Sequence, residues 1–197
     1  MTEEFVGYEN LISFVEGRGL ASVEGDIVEI GAYMGGGTVK LAEFAKKHRK
    51  KVYAVDTFDT SLDGTMSKRG VPASEVYEAF LYGRSMFGAY QETTEGYDNI
   101  VTIRQDSRLV SFPGDLKLVF AFIDGCHQGE YVESDFRLVW PHIVSGGVVG
   151  FHDYRFDDWP EVTVAVDSIL MSHGGEILET HELEGAYGVL SLLVVKR

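Results

Sequence analysis

Acidic and imidazole side chains follow two predicted strands in the second half of the sequence. Asp124 and His127 lie in one segment, and His152 and Asp153 are adjacent in the other. Carboxylate and imidazole groups can together hold a divalent cation. The carboxyl ends of neighbouring parallel strands meet at one edge of a sheet, where these side chains would converge. The pattern therefore predicts a cation site within the cluster of Asp124, His127, His152 and Asp153. In the alternative interpretation Asp124 only orders a turn and His152 only caps a strand.

A glycine-rich turn lies near the start of the chain, in the segment Glu29-Ile30-Gly31-Ala32-Tyr33-Met34-Gly35-Gly36-Gly37-Thr38. Glycines at a strand-to-helix turn let the backbone approach a ligand closely. Tyr33 stands where the dinucleotide fingerprint needs its second glycine, and the Gly-Lys-Ser/Thr of a P-loop does not follow. Because the Glu29 carboxylate repels a pyrophosphate, the turn favours a ligand that carries positive charge.

Further acids follow the next two predicted strands. Asp56 ends the second strand, where a carboxylate can accept hydrogen bonds from both hydroxyls of a ribose. Asp106 and Ser107 follow the third strand and are placed to hold the edge of an adenine ring. Since Glu29, Asp56 and Asp106 all end strands, the pattern favours a nucleoside site over three unrelated turns.

These groups meet only if the strands form a parallel sheet, and the hydrophobic pattern predicts one. Short apolar runs rich in β-branched residues predict strands at 26–30, 51–55, 100–104, 118–123, 147–151, 176–182 and 187–196. Helical spacing between them predicts helices at 35–48, 130–142 and 160–173. The predicted fold class is α/β: a doubly wound, mostly parallel seven-stranded sheet with an antiparallel C-terminal hairpin.

Two segments lie outside this sheet. An amphipathic helix is predicted at 3–16, before the first strand, as a lid. The glycine-broken stretch 62–97, with a helix at 74–82, is predicted as a substrate-side insertion. The aromatic residues expected to line an acceptor pocket are Tyr77, Phe80, Tyr82, Phe87, Tyr90 and Trp159.

Composition narrows the class of protein. A chain of 197 residues with 45% hydrophobic residues fits one globular domain, which we assign to residues 1–197. The formal charge of -14 opposes binding to nucleic acid or to an anionic membrane surface. Glu3 and Glu4 stand where a signal peptide carries positive charge, so a cytoplasmic location is expected. Cys126 is the only cysteine, which excludes a disulfide within the chain.

The glycine turn resembles motif I of the class I S-adenosylmethionine-dependent methyltransferases, which has the form acid-x-Gly-x-Gly-x-Gly. Here it stands as Glu29, Gly31, Tyr33 and Gly35, with the middle glycine replaced. The resemblance implies a Rossmann-like methyltransferase fold and S-adenosylmethionine as cofactor. It places Glu29 and Gly31 at the methionine end, Asp56 at the ribose, and Asp106 with Ser107 at the adenine. The other turn residues assigned to the cofactor pocket are Ala32, Tyr33, Gly35 and Thr38.

The second half of the chain resembles the small family grouped with the macrocin and mycinamicin sugar O-methyltransferases. The elements that carry this resemblance are Asp124-Gly125-Cys126-His127, Gly146-Gly147, His152-Asp153-Tyr154, Pro160-Glu161-Val162 and Ala165-Val166-Asp167. The family binds magnesium through an Asp after strand four and an acidic pair after strand five, and uses a His as general base. The resemblance implies Asp124, His152 and Asp153 as metal ligands and His127 as the base. His152 replaces one carboxylate, which shifts the expected preference from Mg²⁺ toward manganese, iron or zinc.

The predicted function is transfer of a methyl group to a hydroxyl of a small molecule, such as a sugar or glycosylated metabolite. The catalytic residues of this prediction are His127 as base and Asp124 as the group that orients the acceptor or holds a Mg²⁺ or Mn²⁺ ion. The alternatives left open are an N- or C-methyltransferase without metal, a catalytically silent fold that acts as a binding subunit, and a dehydrogenase. Oligomeric state, including a homo-oligomer, is also left open.

Overall fold

The computed structural model describes residues 6–185 and 188–197, and a seven-stranded sheet forms its centre. The strands are β1 (Asp26–Ile30), β2 (Val52–Asp56), β3 (Ile100–Arg104), β4 (Leu118–Ile123), β5 (Ile143–Tyr154), β6 (Ile177–Glu184) and β7 (Leu190–Lys196). Their order across the sheet is β3-β2-β1-β4-β5-β7-β6. Neighbouring strands are parallel except where β7 pairs with β5 and β6. The predicted fold class, including the antiparallel C-terminal pair, is confirmed.

Helices cover both faces of the sheet because each carries an apolar stripe. They are α1 (Tyr8–Gly17), α2 (Gly36–Lys47), α3 (Ala73–Leu81), α4 (Met86–Thr94), α5 (Gly129–Val139) and α6 (Pro160–His173). Short 3-10 turns lie at Leu20–Ser22, Thr60–Leu62, Ser107–Leu109 and Trp140–His142. α1 and α2 pack in one buried cluster, and α5 and α6 pack in another against the opposite sheet face. The buried strands thus hold their carboxyl ends in fixed positions.

The register of the central strands brings those carboxyl ends together. Ile30 of β1 pairs with Val55 of β2 and with Ile123 of β4, and Ile123 pairs with Phe151 of β5. The residues that follow these positions therefore emerge at one edge, and they include Asp56, Asp124 and Asp153; Glu29 lies within β1, one residue before its end.

Three elements differ from their prediction. α4 was not predicted, because Gly88 was read as a breaker, although the Ser85 side chain caps this helix by accepting a hydrogen bond from the Gly88 N–H. β5 runs from Ile143 to Tyr154, whereas the prediction was 147–151. The N-terminal helix begins at Tyr8; positions 3–5 of the predicted helix lie outside the described residues, as do Ala186 and Tyr187 of the predicted hairpin.

No helix among the described residues combines the length and the apolar composition needed to cross a bilayer.

Candidate active site

An irregularity in β5 places two polar side chains at the sheet edge. The pairing of β5 with β7 shifts register between Phe151 and Tyr154, and Asp153 adopts a left-handed φ of 56°. Such bulges re-aim side chains and recur next to active sites. His152 Nδ1 lies 3.0 Å from Asp124 Oδ1 and 3.2 Å from Asp153 Oδ2. The predicted metal ligands are therefore brought together.

His127 joins the same cluster through both of its ring nitrogens. Nε2 lies 2.9 Å from Asp153 Oδ2, and Nδ1 lies 3.2 Å from Asp63 Oδ2. The Trp159 ring stacks on the imidazole with centroids 4.4 Å apart, and the Tyr77 ring is stacked at 6.4 Å. The predicted base is thus buried and held by two carboxylates and two aromatic rings.

The charges in this cluster compensate each other. Burial alone would lower the pKa of His127, but Asp153 and Asp63 raise it to about 9. Burial likewise opposes the charged form of His152, yet Asp124 and Asp153 raise its pKa well above the ordinary value. Burial would raise the pKa of Asp63 and Asp153, but the imidazoles hold Asp63 at about 2 and Asp153 well below its usual range. The cluster is a network of carboxylate–imidazole pairs.

Asp63 was not among the predicted site residues. It lies in the insertion between β2 and β3, and its side chain accepts hydrogen bonds from the Thr65 backbone N–H and hydroxyl. The Asp63-Gly64-Thr65 sequence does signal a turn. Sequence alone carries no signal that the turn would lie against His127, because that contact depends on how the insertion folds over the sheet edge.

The first acid of the glycine turn, Glu29, is completely buried. Its Oε1 accepts a 2.8 Å hydrogen bond from the Tyr8 hydroxyl of α1, and its Oε2 accepts one from the Thr38 hydroxyl of α2. Desolvation raises the pKa of Glu29 to about 7, and the charges of Asp124 and Asp56 add to the rise. Glu29 thus joins α1 and α2 beneath the glycine turn through its two hydrogen bonds. Among the described residues it has no cationic partner.

Close backbone approach explains two glycines of this turn. A Cβ at Gly31, whose φ is 93°, would lie 1.9 Å from the carbonyl oxygen of Asp124. A Cβ at Gly37 would overlap the Tyr8 ring, at 2.1 Å from its Cζ. The first contact presses the β1 turn against the end of β4, and the second lets Tyr8 reach Glu29.

Asp56 organises the turn from its other side. Its Oδ2 accepts a 2.8 Å hydrogen bond from the Tyr33 N–H, and its Oδ1 accepts a 2.6 Å hydrogen bond from the Phe58 N–H. Tyr33 and Phe58 both adopt positive φ, at 48° and 55°, a conformation that the surrounding contacts must hold in place. Burial raises the pKa of Asp56 despite these donors. The Ala32 N–H is a third backbone donor to this carboxylate, so about one of its roughly four lone-pair sites remains for a hydroxyl donor.

The remaining predicted cofactor residues differ in their availability. Asp106 caps the 3-10 turn and pairs with Arg108 at 2.8 Å, so its carboxylate is already occupied. Ser107 begins that turn near the buried Asp135, whose pKa rises to about 7 through desolvation. Ala32 is buried in the turn. Tyr33 donates its hydroxyl to the Tyr77 carbonyl at 2.6 Å, which joins the turn to α3.

A match to a known protein family covers the strands that form this edge of the sheet. A family model described as "Methyltransferase domain" matches residues 28–154, from β1 to the end of β5. The chain belongs to this methyltransferase family. A comparison with curated proteins gives no match.

Solved methyltransferase structures share the fold of this family member. The O-methyltransferase NovP is 18% identical, with a TM-score of 0.69 over 96% of this chain and 78% of its own. CalS11, a TDP-rhamnose 3'-O-methyltransferase of calicheamicin biosynthesis, is 16% identical, with a TM-score of 0.61 over 93% of this chain and 78% of its own. Magnesium protoporphyrin IX methyltransferase from Synechocystis PCC 6803, solved with bound SAM, is 11% identical, with a TM-score of 0.58 over 96% and 78%.

The donor set of this methyltransferase fits a divalent cation. Asp124, His152 and Asp153 each offer one ligand atom, and these atoms lie within 4.8 Å of one another. Two carboxylates with one imidazole suit manganese, iron or zinc better than magnesium, which prefers an all-oxygen shell. Binding would require His152 to give up the Nδ1 proton that it shares with the carboxylates.

Cys126 is an unsuitable nucleophile, because burial raises the pKa of its thiol to about 12.

Proposed function

We propose that this methyltransferase transfers a methyl group from S-adenosylmethionine to a hydroxyl of a small molecule, such as a sugar or glycosylated metabolite, with help from a divalent cation. The observation that carries the proposal is the juxtaposition at one sheet edge of two unlike groups. Glu29 and Asp56 have no cationic partner among the described residues, whereas Asp124, His127, His152 and Asp153 form a network of acids and imidazoles. The proposal includes membership of the family grouped with the macrocin and mycinamicin sugar O-methyltransferases.

The donor end of the site is negative and lacks a counterion. S-adenosylmethionine, when bound, supplies a methyl group on a positively charged sulfonium. Glu29 and Asp56 favour such a cation by their charge, since ionisation of both becomes easier when a positive group lies nearby. Asp56 would accept a hydrogen bond from the ribose, and the methionine end would lie against the turn that Gly31 packs onto the end of β4. Asp106 would have to exchange Arg108 for an adenine amino group.

The acceptor end supplies the base. As the new bond from oxygen to the methyl carbon forms and the sulfur–carbon bond breaks, the acceptor hydroxyl loses its proton to Nε2 of His127. That nitrogen faces Asp153 in this structure. The acceptor must therefore displace Asp153 from Nε2, and Asp153 is also a proposed metal ligand. Removal of Asp153 from the imidazole lowers the proton affinity of His127 toward that of an ordinary histidine, so Nε2 would release its own proton to solvent before it accepts the proton of the acceptor hydroxyl.

Asp124, His152 and Asp153 would hold the cation. A divalent cation, when bound, lowers the pKa of a coordinated hydroxyl. The His152 imidazole makes Mn²⁺ a better candidate than Mg²⁺. His152→Asp converts the set to all-carboxylate and should move the preference toward Mg²⁺.

Three measurements test the proposal. Isothermal titration with S-adenosylmethionine tests the donor site, and transfer of a radiolabelled methyl group to a panel of sugars, phenols and amines tests the acceptor class. Activity should disappear with chelator and return with Mn²⁺ more than with Mg²⁺. Label found in amines, or a rate unaffected by chelator, would favour an N- or C-methyltransferase. Absence of donor binding at saturating concentration would favour a silent binding subunit, and thermal stabilisation by NAD would favour a dehydrogenase.

A further inference from the structure

The partner of His127 Nδ1 comes from the insertion and not from the sheet edge. Asp153, which faces Nε2, extends from β5, whereas Asp63 belongs to the segment between the 3-10 turn at Thr60–Leu62 and α3. Tyr77 of α3 stacks beside the same imidazole and places its hydroxyl 3.4 Å from Nδ1. One side of His127 is thus built by the segment expected to contact the acceptor.

Asp63 is itself fixed from several directions. Its Oδ1 accepts hydrogen bonds from the Thr65 N–H at 3.0 Å and from the Thr65 hydroxyl at 2.5 Å, and it lies 3.5 Å from Cys126 Sγ. Its Oδ2 faces His127 at 3.2 Å and the Tyr77 hydroxyl at 3.5 Å. The residue is only 8% exposed. One carboxylate oxygen anchors the turn, and the other is directed at the imidazole.

We propose that Asp63 is the positioning residue of His127: it holds the Nδ1–H and thereby directs Nε2 toward Asp153 and the acceptor. The role of His127 as the base rests on the proposed function, but the contact itself does not. An imidazole has two possible tautomers and two ring orientations, and a carboxylate on Nδ1 selects one of each. Enzymes that use histidine as a base commonly fix it through such a carboxylate.

The position of Asp63 also couples the insertion to the chemistry. The insertion reaches the base through Asp63 and Tyr77, and it reaches the glycine turn where the Tyr33 hydroxyl donates to the Tyr77 carbonyl. A shift of this segment upon acceptor binding would therefore move the Nδ1 partner of His127.

The chain contains a matched control for the turn. Asp59 accepts hydrogen bonds from the Ser61 N–H at 3.1 Å and from the Ser61 hydroxyl at 2.6 Å, which repeats the local pattern of Asp63 and Thr65. Asp59 is exposed, and the hydrogen bonds of its side chain within the described residues join it to Ser61 and not to His127. Asp59→Asn therefore weakens the same kind of turn without changing the base.

The decisive experiment needs neither donor nor acceptor. In protein with ¹⁵N-labelled histidine rings at pH 7, the His127 signals are those that disappear in His127→Gln. Asp63→Asn should shift the Nδ1 signal and its bound proton, whereas Asp59→Asn should leave both in place. Unchanged His127 signals in a folded Asp63→Asn protein, or equal shifts in Asp59→Asn, would overturn the proposal. This result stands whether or not methyl transfer is found.

Kinetics extend the test once an acceptor is known. Asp63→Asn should lower kcat about 10-fold to 100-fold while the affinity for S-adenosylmethionine changes less than twofold, and Asp63→Glu should recover part of the loss. A fall in donor affinity equal to the fall in kcat would show a merely structural role. If Asp63→Asn fails to fold, Thr65→Val replaces it, because loss of the Thr65 hydroxyl loosens Asp63; its His127 signals must then shift, and unshifted signals would refute the assignment.

Discussion

Two groups of carboxylates lie at the same edge of the sheet, and their pKa values shift in opposite directions. The pKa of Glu29 rises to about 7 and that of Asp56 also rises, whereas the pKa values of Asp63 and Asp153 fall. Desolvation is the largest influence on all four and acts upward in every case. The difference comes from the partners: hydroxyl and backbone donors in the first group, imidazoles in the second.

The first group suits ligand binding, and the second suits proton transfer. Hydrogen-bond donors orient Glu29 and Asp56 but leave their charge uncompensated, which suits a site that must attract a cationic ligand. The imidazoles of the second group neutralise their carboxylates and fix their geometry. In the protein without ligand, the negative charges of Glu29 and Asp56 at the donor end have no positive partner. At the acceptor end, the charges of the carboxylates and imidazoles nearly cancel. Neutralisation of one residue should consequently affect stability with opposite signs in the two groups.

The largest expected effect follows from removal of the central imidazole. His127→Ala leaves Asp63 and Asp153 buried without their shared partner, and loss of one member of a buried ionic network costs about 3–5 kcal/mol. Urea unfolding at pH 7 should show a lowered midpoint. Turnover should also fall, while the affinity for S-adenosylmethionine stays nearly unchanged.

A partly exposed histidine serves as the control. His48 lies 3.9 Å from Glu16 on the surface, so His48→Ala should change stability far less than His127→Ala. Equal destabilisation by both substitutions would show that the buried pairs of His127 contribute no more to the free energy of unfolding than a surface histidine does. An unaltered turnover in His127→Ala would remove this residue from the mechanism.

At the donor end, neutralisation should stabilise the protein. The pKa of Glu29 is about 7 when folded and 4.5 ordinarily, so between these values the folded chain keeps a proton that the unfolded chain has lost. Stability therefore falls as pH rises through this window, by about 3 kcal/mol at pH 8. Glu29→Gln should be more stable than wild type by up to that amount at pH 8.

The pH dependence distinguishes this explanation from a gain in packing. The advantage of Glu29→Gln should shrink as pH falls and vanish below about pH 4.5, where both folded and unfolded Glu29 are protonated. Thermal unfolding across pH 4–8 measures it. The same variant should bind S-adenosylmethionine more weakly, since it lacks the negative charge. A constant stability difference at every pH would refute the proposed origin.

Asp56 tests the binding half of the comparison. Asp56→Ala removes the acceptor proposed for the ribose hydroxyls and the anchor of the two positive-φ residues, so donor affinity should fall about 30-fold, or about 2 kcal/mol. Isothermal titration measures this change. Asp59→Ala, in the following loop, should leave affinity unchanged. Retention of full affinity by Asp56→Ala would place the nucleoside elsewhere.

The sequence was sufficient for the sheet because its signals are local. Short apolar runs located β3 and β4 to the residue, and the parallel topology then followed from helices between strands. Convergence of Asp124, His152 and Asp153 followed from the same reasoning. The contact of Asp63 with His127 was not predictable, because it depends on the path of a loop over the sheet edge. The pairing of Asp106 with Arg108 is local, but it follows from the 3-10 turn that Asp106 caps, and that turn was not predicted. Loop paths are set by many weak contacts that no short motif encodes.

An exposed ion pair should have the smallest effect on stability, and it tests whether burial is what makes the His127 pairs strong. Lys68 pairs with Asp157 at 2.9 Å across the gap between the insertion and the loop before α6, and both side chains are mostly exposed. Water and salt screen such a pair, so it should contribute little to the free energy of unfolding. Asp157→Asn should therefore leave the urea midpoint and donor affinity unchanged. A measurable destabilisation would mean that this contact holds the insertion over His127, and the acceptor half of the site would then depend on a surface ion pair as well as on its buried imidazoles.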